Sequence, residues 1–559
     1  MERTIMNRPL FALALILILT CSSFATAGVL HVPGEYSQIH TAVQACVAGD
    51  TVLVEAGTYF DCTHPTEGPE STPACVIMKS GVTLIGAGQE QTIIDAEGLG
   101  RGIFIEFVDN CRVENLQVRN AFAAIYGAGI LIRDVDTTVE ITDVRVTICT
   151  DGGIICINNS SPFLRNVTMD HCDAKQGGGL SIEEHSSPQV IDCIVNENTA
   201  PSGAGIFMRN NCAPTLRGCE VNFNTIVDGG NTYGGGISIQ SSTPTISNCE
   251  IRGNIADGFG GGVAYADGSA GVMEYCLIQG NDNVDTDGQG GGIFVSASNP
   301  NLRHLVIADN TISGIYGTGG GMYISWEPSP NVKNCTIVGN ACGADTEIAG
   351  GGGVMVEWGA VPTIDKCIIS GSTVGEGILC GETPISPDPV VTCTDIFGNA
   401  GGDALCGTDG GGNFSSDPLF CGNAGYEYNL TASSPCAPGN HPGGPCDNEW
   451  IGALGGGCGE TQVPLPGATD LVLGNHPNPF NPRTTIFFEL PEPGPATLRI
   501  FDLAGRLVLE RTWDDLPAGL KEFAWNGLDG QGRALASGVF LYRLDTRDQS
   551  LTQRMSLIR

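Results

Sequence analysis

Gly290-Gly291-Gly292-Ile293-Phe294-Val295-Ser296-Ala297-Ser298-Asn299-Pro300-Asn301-Leu302-Arg303-His304-Leu305-Val306-Ile307-Ala308-Asp309-Asn310 is one turn of a repeat. Glycines open it, apolar residues follow at every second position, a proline interrupts, a second apolar stretch succeeds, and an asparagine closes it. Triplets or near-triplets of this kind end at Gly129, Gly153, Gly179, Gly205, Gly236, Gly262, Gly292, Gly321 and Gly353, so the gaps are 24, 26, 26, 31, 26, 30, 29 and 32 residues. A recurring period with two-residue alternation describes stacked coils of short strands. Glycine clusters at every period exclude a helical solenoid.

Aligning the coils on the last glycine separates inside from outside. One step on lie Ile130, Ile154, Leu180, Ile206, Ile237, Val263, Ile293, Met322 and Val354, and three steps on a second apolar set from Ile132 to Val356; both face inward. Between them Ser181, Glu183, Phe207, Arg209, Ser238, Gln240, Phe294, Ser296, Tyr323, Ser325, Met355 and Glu357 face outward. Prolines at 162, 188, 214, 244, 300, 330 and 362 start a second strand. Five residues past the proline the inward place is often cysteine (Cys193, Cys219, Cys249, Cys335, Cys367, with Cys276 and, by a one-residue slip, Cys393). Ten past it stands asparagine, at 198, 224, 254, 310 and 340, with Asn281 in the coil that lacks the proline. Stacked asparagines can pass amide hydrogen bonds from coil to coil at a tight bend.

With these features the chain resembles the secreted right-handed β-helix proteins of the pectin-lyase-like superfamily, over roughly residues 30–460. The resemblance implies an all-β fold: a right-handed parallel β-helix of about ten or more coils rising about 4.8 Å each. Ahead of it, Gln38-Ile39-His40-Thr41-Ala42-Val43-Gln44-Ala45 predicts a short amphipathic capping helix with Ser37 as N-cap. Behind it, His476-Pro477-Asn478-Pro479-Phe480-Asn481-Pro482, Phe501-Asp502-Leu503-Ala504-Gly505-Arg506, Trp525-Asn526-Gly527 and Ala536-Ser537-Gly538-Val539-Phe540 resemble the Ig-like domain related to flagellar hook-capping proteins. That domain overlaps the C-terminal sorting domains of type IX secretion, which implies the type IX export machinery as a partner; a plain β-sandwich spacer is the alternative. The expected division is a signal peptide over 1–27, the capped β-helix over 28–460, a Gly/Pro-rich linker over 461–474 and the Ig-like domain over 475–559.

Sixty-one acidic residues against 26 basic ones give a formal charge of −35. Such a surface disfavours nucleic acid and anionic membrane, and no run after the signal is long enough to span a bilayer. The acidity suits either solubility outside the cell or affinity for cations. Export also permits disulfides. Cys62 and Cys75 flank an insertion, and Cys406, Cys421, Cys436, Cys446 and Cys458 crowd an irregular tail that suits bridging. The repeating cysteines read as buried thiols in preference to bridges, because in-register neighbours suit stacking better than disulfide torsion.

Three clusters are candidate sites. Asp170, His171, Glu183, Glu184 and His185 supply carboxylates and imidazoles on adjacent coils for acid/base chemistry, or else are solvated turn charges. Asn283, Asp285 and Asp287 alternate oxygens as a Ca2+ loop does, although Phe294 stands where the bidentate glutamate belongs; no cofactor is required. Trp326 and Trp358, each five past its triplet, should stack on one another, with Phe294 and Tyr323 adjacent and outward. Such a stripe suits sugar rings, unless loops fold over it as a satellite core. The reading favoured is an exported rod with a binding face for polysaccharide. The alternatives are a polysaccharide lyase or glycoside hydrolase, and an adhesive protein without sugar binding.

Overall fold

The computed structural model describes residues 27–66, 72–122, 129–227, 232–343, 350–422, 427–442, 446, 448–458, 472–476, 482–490, 494–502, 505–516, 519–547 and 549–557. The expected signal peptide, apart from Ala27, and most of the expected linker lie outside these.

The chain is an all-β rod of stacked parallel coils followed by a small antiparallel domain. In the coil quoted above, Ile293–Ser296 joins a twelve-stranded sheet, Asn301–Arg303 and Val306–Ala308 join a 26-stranded sheet, and Thr311–Ile312 joins a five-stranded sheet. Register is maintained from coil to coil: Ile293 pairs with Met322, and Met322 with Val354. The second apolar stretch is two strands where the sequence suggested one. His304 (φ 52°) bends it, as do Asp192, Asn248, Tyr275, Asn334 and Lys366 at φ 48–53° in other coils. The residue at this left-handed bend points out of the rod and leaves both flanking strands facing in.

Glycine is required at two places in the triplet. Gly290 has φ +73°, which side-chain-bearing residues adopt at a cost. A Cβ on Gly292 would meet the Gly321 carbonyl at 2.6 Å and the Asn310 amide nitrogen at 3.0 Å. The third glycine thus makes room for the asparagine of its own coil. Asn198, Asn224, Asn254, Asn281, Asn310 and Asn340 are all fully buried. The column holds Cys172 before Asn198 and Ser372 after Asn340, and asparagine returns at Asn399.

Inward residues from Val32 to Ile396 form one continuous core, and Cys193, Cys219, Cys249, Cys276, Cys335 and Cys367 are buried free thiols within it. The helix Ile39–Ala45 buries Ile39, Ala42 and Val43. Its N-cap is Gln38, without a side-chain capping bond, so Ser37 lies one residue too early for the role expected of it. Among the described residues no helix is long and apolar enough to cross a membrane.

Four disulfides join Cys62 to Cys75, Cys380 to Cys406, Cys393 to Cys446 and Cys421 to Cys458. Two expectations need correction. Cys436 is not bridged: its buried thiol donates to Asp395 Oδ2 at 3.3 Å. Cys393 leaves the thiol column because it occupies the left-handed bend (φ 48°) and so points outward to Cys446, while the buried Thr394 follows it. The tail then returns along the outside of the large sheet. Glu449 pairs with Lys366 at 2.6 Å, the Trp450 carbonyl accepts from Asn334 Nδ2 at 2.9 Å, and Tyr428 OH accepts from Gln279 Nε2 at 2.9 Å. Ala453 and Leu454 cover Leu277, Val306 and Ala308.

The C-terminal domain has a sheet of Val472–His476, Thr484–Leu490 and Gly519–Trp525 and another of Leu507–Leu516, Gly494–Asp502, Gly538–Asp545 and Ser550–Leu557. Ile486, Phe488, Leu498, Ile500, Trp525 and Tyr542 are among its core residues. Its first strand begins at Val472, three residues before the boundary drawn from the sequence, because these residues pair with Thr484–Leu490.

Candidate functional site

The residue five past each triplet follows a strand of the twelve-stranded sheet and turns the corner in a left-handed conformation. Successive occupants are Asp134, Asn158, Glu184, Asn210, Ser241, Asp267, Ala297, Trp326 and Trp358, with φ from 46° to 68°. Asparagine and aspartate are common in that conformation, and a bulky aromatic is not. Two consecutive tryptophans there cost of order 1–3 kcal/mol each in backbone strain.

Their rings are parallel within 1°, with centroids 4.9 Å apart. At that separation they lie face over face along the rod. Trp326 is 57% exposed and Trp358 is half-buried. The segment after Trp358 holds its far side, with the Trp358 amide donating to Thr383 Oγ1 at 3.1 Å and the Gly359 amide to the Ile385 carbonyl at 2.8 Å. On the other side the next corner residue is Ala297, since Ser296 pairs with Ser325. One face of Trp326 therefore looks onto a methyl group and open solvent.

The rest of the expected stripe is not exposed. Phe294 and Tyr323 stack at 5.7 Å, yet they are only 3% and 1% exposed. Tyr233 and Phe259, which directly precede their triplets, fold against Phe294 (6.0 and 4.8 Å), and Ala264, Met355 and Leu379 complete the cluster. The Tyr323 hydroxyl donates to Glu357 Oε2 at 2.6 Å, and burial, followed by the charge of Glu357, pushes its pKa up. These two rings are a satellite core. The column Tyr233, Phe259, Gln289, Thr318, each residue bridged to the next, was the sequence signal for it.

The acid/base candidates fall into two groups. Asp170 ends Thr168–Asp170 in the large sheet, whereas Glu183 ends Leu180–Glu183 in the twelve-stranded sheet. Asp170 accepts from Arg145 at 2.7 and 3.1 Å and lies 3.0 Å from His171 Nδ1, while His171 Nε2 is 2.8 Å from Glu197. Burial raises the Asp170 pKa, but hydrogen bonds from Arg145, Thr147 and His171 outweigh it and hold the group below its ordinary range. It is thereby ionised and poorly suited to donate a proton. Glu183 is paired with Arg209 at 2.5 Å and accepts from Ser181 at 2.9 Å. Glu184 and His185 are left-handed corner residues.

At the expected Ca2+ loop, the fully buried Asn283 spends its side chain on the protein. Its Nδ2 donates to the Gly258 carbonyl at 2.7 Å, and its Oδ1 accepts from the Asp285 amide at 3.2 Å. Asp285 in turn caps the Asp287 amide at 3.1 Å. Among the described residues no group of three or more His, Cys, Asp or Glu side chains is placed to hold a metal.

One feature escaped sequence reasoning. A cavity of about 170 Å³ beside the capping helix is lined by Ser37, Tyr59, Asp61, Val76 and Ile94. Nearby, His64 pairs with Asp61 at 3.0 Å and stacks on His40 at 3.7 Å. Burial, then the charge of His64, lowers the His40 pKa to about 4.

Residues 80–235 and 224–350 match the family described as right handed beta helix region, and residues 480–550 match the FlgD Ig-like domain. No curated protein matches the chain. Among solved structures, PorZ, a surface component of the type-IX secretion system of Porphyromonas gingivalis, is 25% identical over 16% of this chain and 11% of its own, with a TM-score of 0.13. The chain thus spans about a ninth of that protein's length. The PL6 family alginate lyase AlyGC is 12% identical over 77% of this chain and 59% of its own, at a TM-score of 0.44. The A-module of the Azotobacter vinelandii mannuronan C-5 epimerase AlgE6 is 15% identical over 68% and 93%, at 0.34.

Proposed function

We propose that this protein is an exported β-helix rod that binds polysaccharide at the Trp326–Trp358 corner. The observation that carries the reading is the indole pair: two parallel rings, one largely exposed, held in a strained corner position that a small polar residue fills in most other coils. Pyranose rings present axial C–H groups that pack on π faces, and a ring fixed by its neighbour loses little freedom on binding. Catalysis is not part of the proposal, because each carboxylate candidate of the strands is neutralised by an arginine.

The C-terminal domain is proposed to address the chain to type IX export. Removing residues 475–559 should then retain the rod inside a type IX host, and unchanged release would overturn the assignment. The binding test is a glycan array with the purified mature chain, run beside assays for unsaturated products and new reducing ends. Binding without turnover, lost in Trp326→Ala/Trp358→Ala, is expected. Retained binding in that double variant would overturn the reading.

A further inference from the structure

The surroundings of Trp326 bear on the charge of the sugar it would take, an inference that rests on the binding reading above. Asp267, Ala297 and Trp326 are successive occupants of one column: Tyr265 pairs with Val295, and Ser296 with Ser325. With coils about 4.8 Å apart, the Asp267 and Trp326 backbones are roughly 10 Å apart. Ala297 fills only the base of the gap between them. A ring packed at about 4 Å on the indole fits that gap, with Asp267 on its other side.

The surroundings of this slot are acidic without compensation. Asp267 and Glu327 are exposed, and among the described residues neither is paired with a basic side chain. The cations on the neighbouring strands, Arg303 and Lys333, are already committed to Glu274 at 2.6 Å and Asp365 at 3.5 Å. The charge of the whole chain, −35, has the same sign. A uronate entering the slot would bring its carboxylate beside that of Asp267 with Arg303 and Lys333 already engaged, whereas hydroxyls can donate to the same oxygens.

We propose that the slot between Trp326 and Asp267 takes neutral pyranose units and rejects uronates.

The test uses two oligosaccharides of identical linkage that differ only in carrying a hydroxymethyl or a carboxylate at C6. Binding is followed by tryptophan fluorescence and calorimetry at about 0.02 M and about 1 M salt, where the screening length is near 3 Å. The neutral sugar should bind in a Trp326-dependent manner with little salt dependence. The uronate should bind at least about tenfold more weakly at low salt, and the gap should narrow at high salt and in Asp267→Asn/Glu327→Gln. Circular dichroism checks that these exposed substitutions leave the fold intact. Trp326-dependent binding of the uronate as tight as that of the neutral sugar overturns this inference and leaves the binding reading standing. Binding that ignores Trp326, or no binding of either sugar, overturns both. A gap unchanged by the double charge removal overturns the charge argument.

Discussion

Asn254 lies mid-ladder, and its removal tests whether the ladder or the apolar core sets the stability of the rod. Its Nδ2 donates to the Val221 carbonyl at 2.8 Å and to Asn281 Oδ1 at 2.9 Å, and its Oδ1 accepts from the Asn224 amide at 3.0 Å and Asn224 Nδ2 at 2.9 Å. In Asn254→Ala the Asn224 amide and one Asn224 side-chain hydrogen lose their only acceptor in a fully buried place. Each orphaned donor costs about 1–3 kcal/mol, so a loss of about 4 kcal/mol is expected, a large part of an ordinary domain's stability. Asn254→Asp should cost more at neutral pH, because a carboxylate can donate neither to Val221 nor to Asn281 and would be buried charged. Acidification should restore part of that loss, since the protonated form regains one donor. Asn331→Ala is the control: it removes an amide bonded to Asn301 at 3.0 Å on the exposed face, and should cost under about 1 kcal/mol. Urea unfolding measures the total, and hydrogen exchange shows whether the loss spreads beyond the two adjoining coils. A loss under about 1 kcal/mol for Asn254→Ala, or an aspartate no worse than alanine, would refute the reasoning.

Ser372 interrupts the ladder: among the described residues its buried Oγ has no partner, although its amide donates to Asn399 Oδ1 at 3.0 Å and its Cβ lies against Gly352. Ser372→Asn should join Asn340 to Asn399 and stabilise by about 1 kcal/mol in urea; a loss would mean the site is too tight. Asp395 is buried, which pushes its pKa up to about 7 against a hydrogen bond from the Ser416 amide. Its folded pKa lies above its unfolded value of about 3.9, so its stabilising contribution is complete below about pH 4 and lost as pH rises through 7. Asp395→Asn should flatten the dependence of Tm on pH across that window and raise Tm at pH 8; an unchanged profile would refute the assignment. Phe294→Ala should cost about 3–5 kcal/mol while leaving Trp326-dependent sugar binding intact, and loss of binding in a folded variant would place Phe294 in the site after all.

The repeat was legible because its markers are steric necessities. Gly292 must lack a side chain for Asn310 to reach its neighbours, and an alternating strand must turn Ile293 and Val295 inward if its partners Met322 and Ile324 do so. Aligning the glycines therefore gave the register, the core columns and the stacking of Trp326 on Trp358. What alignment could not give was cover. Whether Phe294 and Tyr323 meet solvent depends on where the residues between coils fold, and those segments vary in length from coil to coil. Bridges were illegible for the same reason: Cys446 finds Cys393 only because the tail returns along the rod, and Cys393 is available only because a one-residue slip puts it on the bend.

The division between buried faces and open corners bears on where such a rod can change its chemistry. Outward positions of the twelve-stranded sheet are mostly closed: Ser181, Phe207, Ser238, Ala264, Phe294 and Tyr323 are all under 4% exposed. A new side chain there must fit against its neighbours, so it costs packing energy before it contributes any function. The corner column is different. Its side chains leave the rod, and the column accepts aspartate, asparagine, glutamate, serine, alanine and tryptophan alike. The strain of each corner is borne by the stack, so function can be exchanged there without altering the core. It follows that Ala297→Trp should extend the indole stack by one ring, block the slot against Asp267 and abolish neutral-sugar binding, while costing no more than about 1–3 kcal/mol of corner strain in urea unfolding. A fully cooperative loss of fold in that variant would show that the corners are as tightly specified as the faces.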